Sequence, residues 1–161
     1  VEIADMLLEL DEDYGIDPSA QDNKAFVRAC DSTVEMVQYL LDLDEDYYGI
    51  DPSARNNKGL RVACREGHTN IVRLLLTLDE DYGIDPSADD NRPLLDACLE
   101  GHAEIAKLLL DLPLDRGVDP GARNNASLRG ARVYKHSDVE QLLLALPPER
   151  GVDPSVPAVI E

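Results

Sequence analysis

The stretch ACREGHTNIVRLLL, which runs from Ala63 to Leu76, returns with few changes as ACLEGHAEIAKLLL, from Ala97 to Leu110. The same 34-residue step that separates these two copies also separates successive cysteines and successive histidines. It separates the five Asp-Pro dipeptides as well, which begin at Asp17, Asp51, Asp85, Asp119 and Asp153. A period of about 20–50 residues is typical of solenoid repeats, so the repeat decides the fold.

Each unit has the pattern of a helix, a turn, a second helix and a loop. Segment 58–66 places small and apolar residues on one stripe, which predicts a short helix with one buried side. Gly67-His68 ends this helix, because glycine readily adopts the left-handed conformation that closes helices. Segment 69–78 is mostly apolar and predicts a second, largely buried helix. A polar loop and an Asp-Pro turn then lead into the next unit.

This unit resembles the ankyrin repeat. The resemblance rests on the Ala-Cys pair, the Gly-His turn, the two β-branched residues and the triple Leu of Ala63–Leu76, and Ala97–Leu110 matches again. It implies an all-α ankyrin-repeat solenoid of stacked antiparallel helix pairs. The stretch between Gly49 and Ala63 is about three residues shorter than the family pattern, which implies short finger loops.

The repeat predicts that the whole chain, 1–161, is a single ankyrin-repeat domain. We expect a half repeat at 1–16, four repeats at 17–50, 51–84, 85–118 and 119–152, and a partial tail at 153–161. Terminal repeats of a solenoid carry a polar outer face, whereas this half repeat is apolar at Ile3, Met6, Leu7 and Leu8. We therefore expect these four residues to be partly exposed and further repeats to precede them.

The charge of the chain argues against two classes of partner. Acidic residues outnumber basic ones by 33 to 15, which gives a net charge of -18. Such a surface repels phosphate backbones, so the chain is predicted to bind neither nucleic acid nor anionic membranes. Its apolar runs also fall short of the ~20 residues that a membrane span needs.

The cysteines predict the compartment. Packed helices lie about 8–10 Å apart, whereas a disulfide needs Cα atoms within about 7 Å. Cys30, Cys64 and Cys98 hold one repeated position, so we expect them to be free and buried. Free thiols indicate a reducing, intracellular compartment, and we predict a cytoplasmic location.

No motif for catalysis or for a cofactor appears in the sequence. It contains no nucleophile elbow, zinc-peptidase motif, phosphate loop or Gly-rich dinucleotide turn. His68, His102 and His136 occur once per unit at the turn between helices, where a structural bond to the backbone is the favoured interpretation. The chain is predicted to be non-enzymatic, with no catalytic residue, cofactor or metal site.

The alternative function is a calcium-binding acidic-loop repeat module. Segment 42–46, which is followed by Gly49, is similar to the opening of an EF-hand loop. Tyr47, however, takes the place of the EF-hand glycine, and Ser53 takes the place of the closing glutamate. Solvated acidic loops are therefore the favoured interpretation.

The family resemblance implies a scaffold that binds another protein on its concave face, through finger tips and the exposed sides of the first helices. By position, the tips are 21–24, 55–58, 89–92 and 123–126. The predicted site comprises Arg65, Glu66, Arg92, Leu99, Glu100, Arg123, Val133 and Tyr134. Leu99 and Tyr134 are the predicted anchors, since aromatic residues are enriched among binding hot spots, and Arg92 and Arg123 form the rim. We expect a monomer.

Overall fold

The computed structural model describes residue 17 and the ranges 19–43 and 49–159. Within these ranges it has eight α-helices and no strand. The helices are α1 (Ala20–Ala29), α2 (Val34–Asp42), α3 (Ala54–Glu66), α4 (Thr69–Leu76), α5 (Ala88–Leu99), α6 (Ala103–Leu110), α7 (Ala122–Tyr134) and α8 (Ser137–Leu144). The half repeat at 1–16, with the apolar residues whose exposure is predicted, lies outside the described residues.

The helices form two rows of a solenoid. The first helix of each pair packs on the first helix of the next, so that α1, α3, α5 and α7 make one row. The second helices α2, α4, α6 and α8 contact one another in the same order and make the other row. The predicted all-helical solenoid of stacked helix pairs is confirmed, and we number its pairs units 1 to 4.

The core lies between the two rows and repeats its positions in every unit. At one first-helix position the side chain is fully buried in all four units, as Phe26, Leu60, Leu94 and Leu128. Each buried CH₂ group stabilises the fold by about 0.8 kcal/mol. The ring of Phe26 fits because unit 2 supplies Gly59, where a Cβ atom would lie 3.2 Å from Phe26 Cε1 and 2.9 Å from Cys30 Sγ.

The short finger is a left-handed turn of three residues. Arg55, Asn56 and Asn57 have φ angles of 56°, 58° and 56°, and the same turn recurs at 21–23, 89–91 and 123–125. Within the predicted tip 55–58, Asn57 is buried. Its Oδ1 accepts a hydrogen bond of 2.9 Å from the backbone N–H of Asp85.

This asparagine bond links each unit to the next along the solenoid. Oδ1 of Asn23 accepts from the N–H of Asp51, and two units further on Oδ1 of Asn91 accepts from the N–H of Asp119. Asn125 makes the last such bond, with Asp153 at 2.8 Å. The buried amide group therefore fixes the start of the following unit.

All three cysteines are free and buried, as the sequence predicts. Burial raises the pKa of the Cys30 and Cys98 thiols to about 12, and it raises that of Cys64 as well. The thiolate is the reactive form of cysteine, so these three residues are chemically inert in the folded chain.

We expect an aromatic disulfide reagent at pH 8 to label no thiol of the folded chain and all three thiols in urea. The raised pKa values also make the stability of the folded chain depend on pH. Unfolded thiols ionise from about pH 9, whereas the folded ones stay protonated to about pH 12, so the thiols lower the stability as pH rises through this window. Rapid labelling of any thiol in native buffer would contradict the structure.

Candidate functional site

The eight residues of the predicted site lie in three consecutive first helices or directly at their ends. Arg65 and Glu66 end α3, Glu100 caps α5 beyond Leu99, and Val133-Tyr134 ends α7. Arg92 and Arg123 lie near the starts of α5 and α7 instead. We call the outward side of α1, α3, α5 and α7 the first-helix face.

The helix ends on this face are held in register by histidines. His102 Nε2 lies 2.9 Å from the carbonyl oxygen of Arg65, and His136 Nε2 lies 2.9 Å from that of Leu99. Because a carbonyl only accepts hydrogen bonds, each ring donates from a protonated Nε2. The structural role predicted for the turn histidines is confirmed for these two.

Each of these rings also rests on a glycine of the preceding unit. Gly67 and Gly101 are left-handed, with φ angles of 80° and 79°. A Cβ atom at Gly67 would lie 2.6 Å from His102 Cε1, and one at Gly101 would lie 2.5 Å from Nδ1 of the next ring. At the last turn Lys135 takes the same conformation with φ of 63°, and no histidine follows His136 in the chain.

At the end of α3 the predicted pair is internally neutral. Arg65 Nε donates to Glu66 Oε1 at 2.7 Å, and both side chains are exposed. This hydrogen bond raises the pKa of the Arg65 guanidinium. An exposed pair of this kind contributes little stability, so it leaves both groups available to a ligand.

The two arginines predicted to form a rim are already bound within the chain. Arg92 Nε lies 2.6 Å from Oδ1 of Asp96, which is buried. Arg123 donates to the backbone carbonyls of Asp89 and Asp90, with its Nε 3.1 Å from the latter. These side chains hold a buried carboxylate and the preceding finger turn, and neither presents a free guanidinium beside Tyr134.

The two predicted anchors differ in their surroundings. Leu99, predicted as an exposed anchor, is half-buried, and a Cβ atom at Gly130 would lie 2.6 Å from its Cδ2. Tyr134 is 56 % exposed, and its ring centroid lies 6.3 Å from that of His136 in a stacked arrangement. Tyr134 is therefore the one of the two that is open to a partner.

A basic groove between α1 and α3 was missed by the sequence analysis. It has a volume of about 240 Å³, and its cationic lining residues are Lys24, Arg28, Arg55, Lys58 and Arg65. The signal was present in the repeated lysine, because Lys24 and Lys58 hold the same position in consecutive units. The strongly negative net charge of the whole chain pointed away from a local basic surface.

The acidic loops show no metal centre in the part that the structure describes. Among residues 17, 19–43 and 49–159, no three His, Cys, Asp or Glu side chains are grouped so as to hold a metal ion. Residues Glu80–Tyr82 of one loop form a 3₁₀ turn, and most of the equivalent acidic segment, 44–48, lies outside the described residues. None of the described helices is both long and apolar enough to cross a membrane.

A family model of ankyrin repeats, in three copies, matches residues 47–124. No curated protein matches the chain. Ankyrin repeats are generally protein–protein interaction modules, and domains built from them are typically non-enzymatic. The helix pairs continue on both sides of the matched segment with the same 34-residue step. Residues 47–124 therefore belong to the ankyrin-repeat family.

Proposed function

We propose that the chain is a non-enzymatic scaffold that binds a partner protein across the first-helix face, as the concave surface of the solenoid. The observation that carries this proposal is Tyr134, a large aromatic residue that is 56 % exposed at the end of a first helix. Tyrosine is enriched among the residues that dominate binding energy at interfaces. The family's general role in protein binding supports the same conclusion.

The partner surface we propose runs along the helix ends of units 2 to 4. Its row changes from the charged pair Arg65-Glu66, through Leu99-Glu100, to Val133-Tyr134. A partner that lies along this row would meet charge at one end and an aromatic anchor at the other. In this arrangement Arg92 and Arg123 act by holding the helices in place, since both are engaged within the chain.

We further propose that 1–161 acts as one domain, in the repeats given above, and that it is a monomer in the cytoplasm. Buried free thiols support a reducing compartment. The net charge of -18 disfavours nucleic acid and anionic membranes. Calcium binding by the acidic loops stays a prediction, because no described loop brings three carboxylates together.

Tyr134→Ala is expected to weaken partner binding by about 2 kcal/mol, roughly 30-fold, while the melting temperature stays within about 1 °C. Folding should be unaffected because the removed side chain is exposed. The measurement is titration calorimetry against the partner that affinity capture with the full chain recovers.

Leu114→Ala is the matched control, since Leu114 is 73 % exposed but lies in the 3₁₀ turn after a second helix. Its affinity should equal that of the unmodified chain. Leu99→Ala is unsuitable as a control, because this side chain packs over Gly130 and its loss alters the fold as well. Full affinity of the Tyr134→Ala chain would place the contact elsewhere.

A further inference from the structure

The basic groove between units 1 and 2 has a charge opposite to that of the protein. Five of the 15 basic residues line it, against Asp31 as its only acidic lining residue in the described part of the chain. Val27 and Val62 supply the apolar part of its wall. A local potential of this kind acts over about 8–10 Å at physiological salt, so the groove attracts negative groups despite the net charge.

Three of the five cations have no ion-pair partner among the described residues. Within the described residues no ion pair is formed by Arg28 or Lys58, and Lys24 donates only to the neutral Gln21 Oε1, at 3.0 Å. The other two cations have partners, since Arg65 pairs with Glu66 and Arg55 Nε lies 3.3 Å from Asp22. Among the described residues, the groove thus keeps a positive charge that ion pairs within the fold do not neutralise.

The equivalent place one unit further on provides a contrast. There Arg92 pairs with the buried Asp96, and Arg61 Nη2 lies 3.0 Å from Asp89. In unit 4 the position of the two lysines is taken by Ala126. The uncompensated charge is therefore specific to units 1 and 2 and does not follow from the repeat itself.

We propose that this groove binds an acidic segment of a partner protein, so that glutamate or aspartate side chains pair with Lys24, Arg28 and Lys58. The proposal rests on the function proposed above and adds the chemistry of the ligand. Charge complementarity selects the occupant: a short run of carboxylates matches the local cations, whereas a long polyanion such as nucleic acid is repelled by the rest of the surface.

The geometry also indicates the length and direction of the segment. Lys24 lies in α1 and Asp31 lies two residues beyond its end. At the helical rise of about 1.5 Å per residue they are roughly 10 Å apart along the groove, which matches about three residues of extended chain. Lys24 and Lys58 lie at one end of the groove by sequence position, and Asp31 and Arg65 lie at the other. The segment would therefore place its acidic residues at the lysine end.

The test uses a fluorescent eight-residue peptide that alternates glutamate with leucine, and the same peptide with glutamine for glutamate. We expect fluorescence anisotropy to detect binding of the acidic peptide alone, at least 10-fold weaker in 300 mM than in 50 mM salt. Lys24→Gln with Lys58→Gln should weaken it at least 10-fold. Lys107→Gln is the control, because Lys107 pairs with Asp111 on a second helix.

The proposal would be overturned by no binding of the acidic peptide, equal binding of the glutamine peptide, unchanged affinity in the double lysine variant, or tighter binding of a single-stranded DNA of the same length. A salt-sensitive dimer of the chain, lost in the same variant, would assign the groove to a second copy and overturn it too. Tyr134→Ala separates the two proposals. Partner binding that needs Tyr134 but not the lysines would leave the scaffold function intact and remove only the acidic ligand.

Discussion

Gly67→Ala is expected to destabilise the chain by about 3 kcal/mol. Gly67 has φ of 80°, and the left-handed conformation costs a residue with a Cβ atom about 1–2 kcal/mol. The new Cβ atom would also lie 2.6 Å from His102 Cε1, so the ring must move. Its hydrogen bond to the Arg65 carbonyl, which contributes about 1 kcal/mol, would then be lost. Urea denaturation followed by circular dichroism measures the change in the midpoint.

Two variants separate these causes. Lys135→Gly relieves the left-handed conformation at a turn over which the described residues place no histidine ring, so we expect it to stabilise the chain by about 1 kcal/mol or less. Combining Gly67→Ala with His102→Ala removes the ring that the new Cβ atom would meet. The double variant should therefore be less destabilised than the sum of the two single changes. An additive result would show that the contact between the His102 ring and the new Cβ atom does not contribute to the loss of stability.

Asn57→Ala is expected to cost about 2–4 kcal/mol. The change leaves the partly buried backbone N–H of Asp85 without its acceptor, and an unpaired donor that is shielded from water costs about 1–3 kcal/mol. Alanine must also hold φ of 56°, a left-handed conformation that asparagine tolerates better. Denaturant midpoints measure this effect as well, and the slope of the transition should stay unchanged.

The neighbouring asparagine is a close control. Asn56 has φ of 58° but is exposed, and no side-chain hydrogen bond of it occurs among the described residues. Asn56→Ala should therefore cost only the conformational part, about 1–2 kcal/mol. Asn57→Gly keeps the left-handed conformation but loses the hydrogen bond to Asp85. The stability that it loses should therefore measure the contribution of this bond. Equal effects of the two alanine substitutions would mean that the buried amide does not stabilise the finger.

The repeat made the overall architecture predictable. The exact helix ends and the left-handed turn were harder to predict. The second helix of unit 2 was predicted over 69–78 and spans Thr69–Leu76, a small difference at a helix end. The first helix was predicted from 58 and is continuous with a left-handed turn from Ala54. Three successive left-handed residues are rare outside glycine, so only the repeated asparagine could have indicated this turn.

The candidate surface was predictable where it depends on position within a unit. The exposure of Tyr134 follows from its place before the last turn. The packing of Leu99 does not, because it depends on Gly130, which belongs to the next unit and is distant in sequence. Ion pairs such as that of Arg92 with Asp96 likewise depend on side-chain conformations. Whether the repeated lysines are paired with carboxylates also depends on side-chain conformations. The basic groove could therefore be identified only from the structure.

The contacts of Phe26 with Gly59 and of Leu99 with Gly130 have a consequence for how such an array can be rearranged. Shuffling the four units would preserve the 34-residue period, but it would not preserve these junctions. Moving unit 3 behind unit 1 would set Pro93 against Phe26, and moving unit 2 behind unit 3 would set Val62 against Leu99. Close-packed interiors do not absorb such extra atoms. The linear order of the units is thus encoded in two glycines, and a permuted gene would need compensating changes at both places.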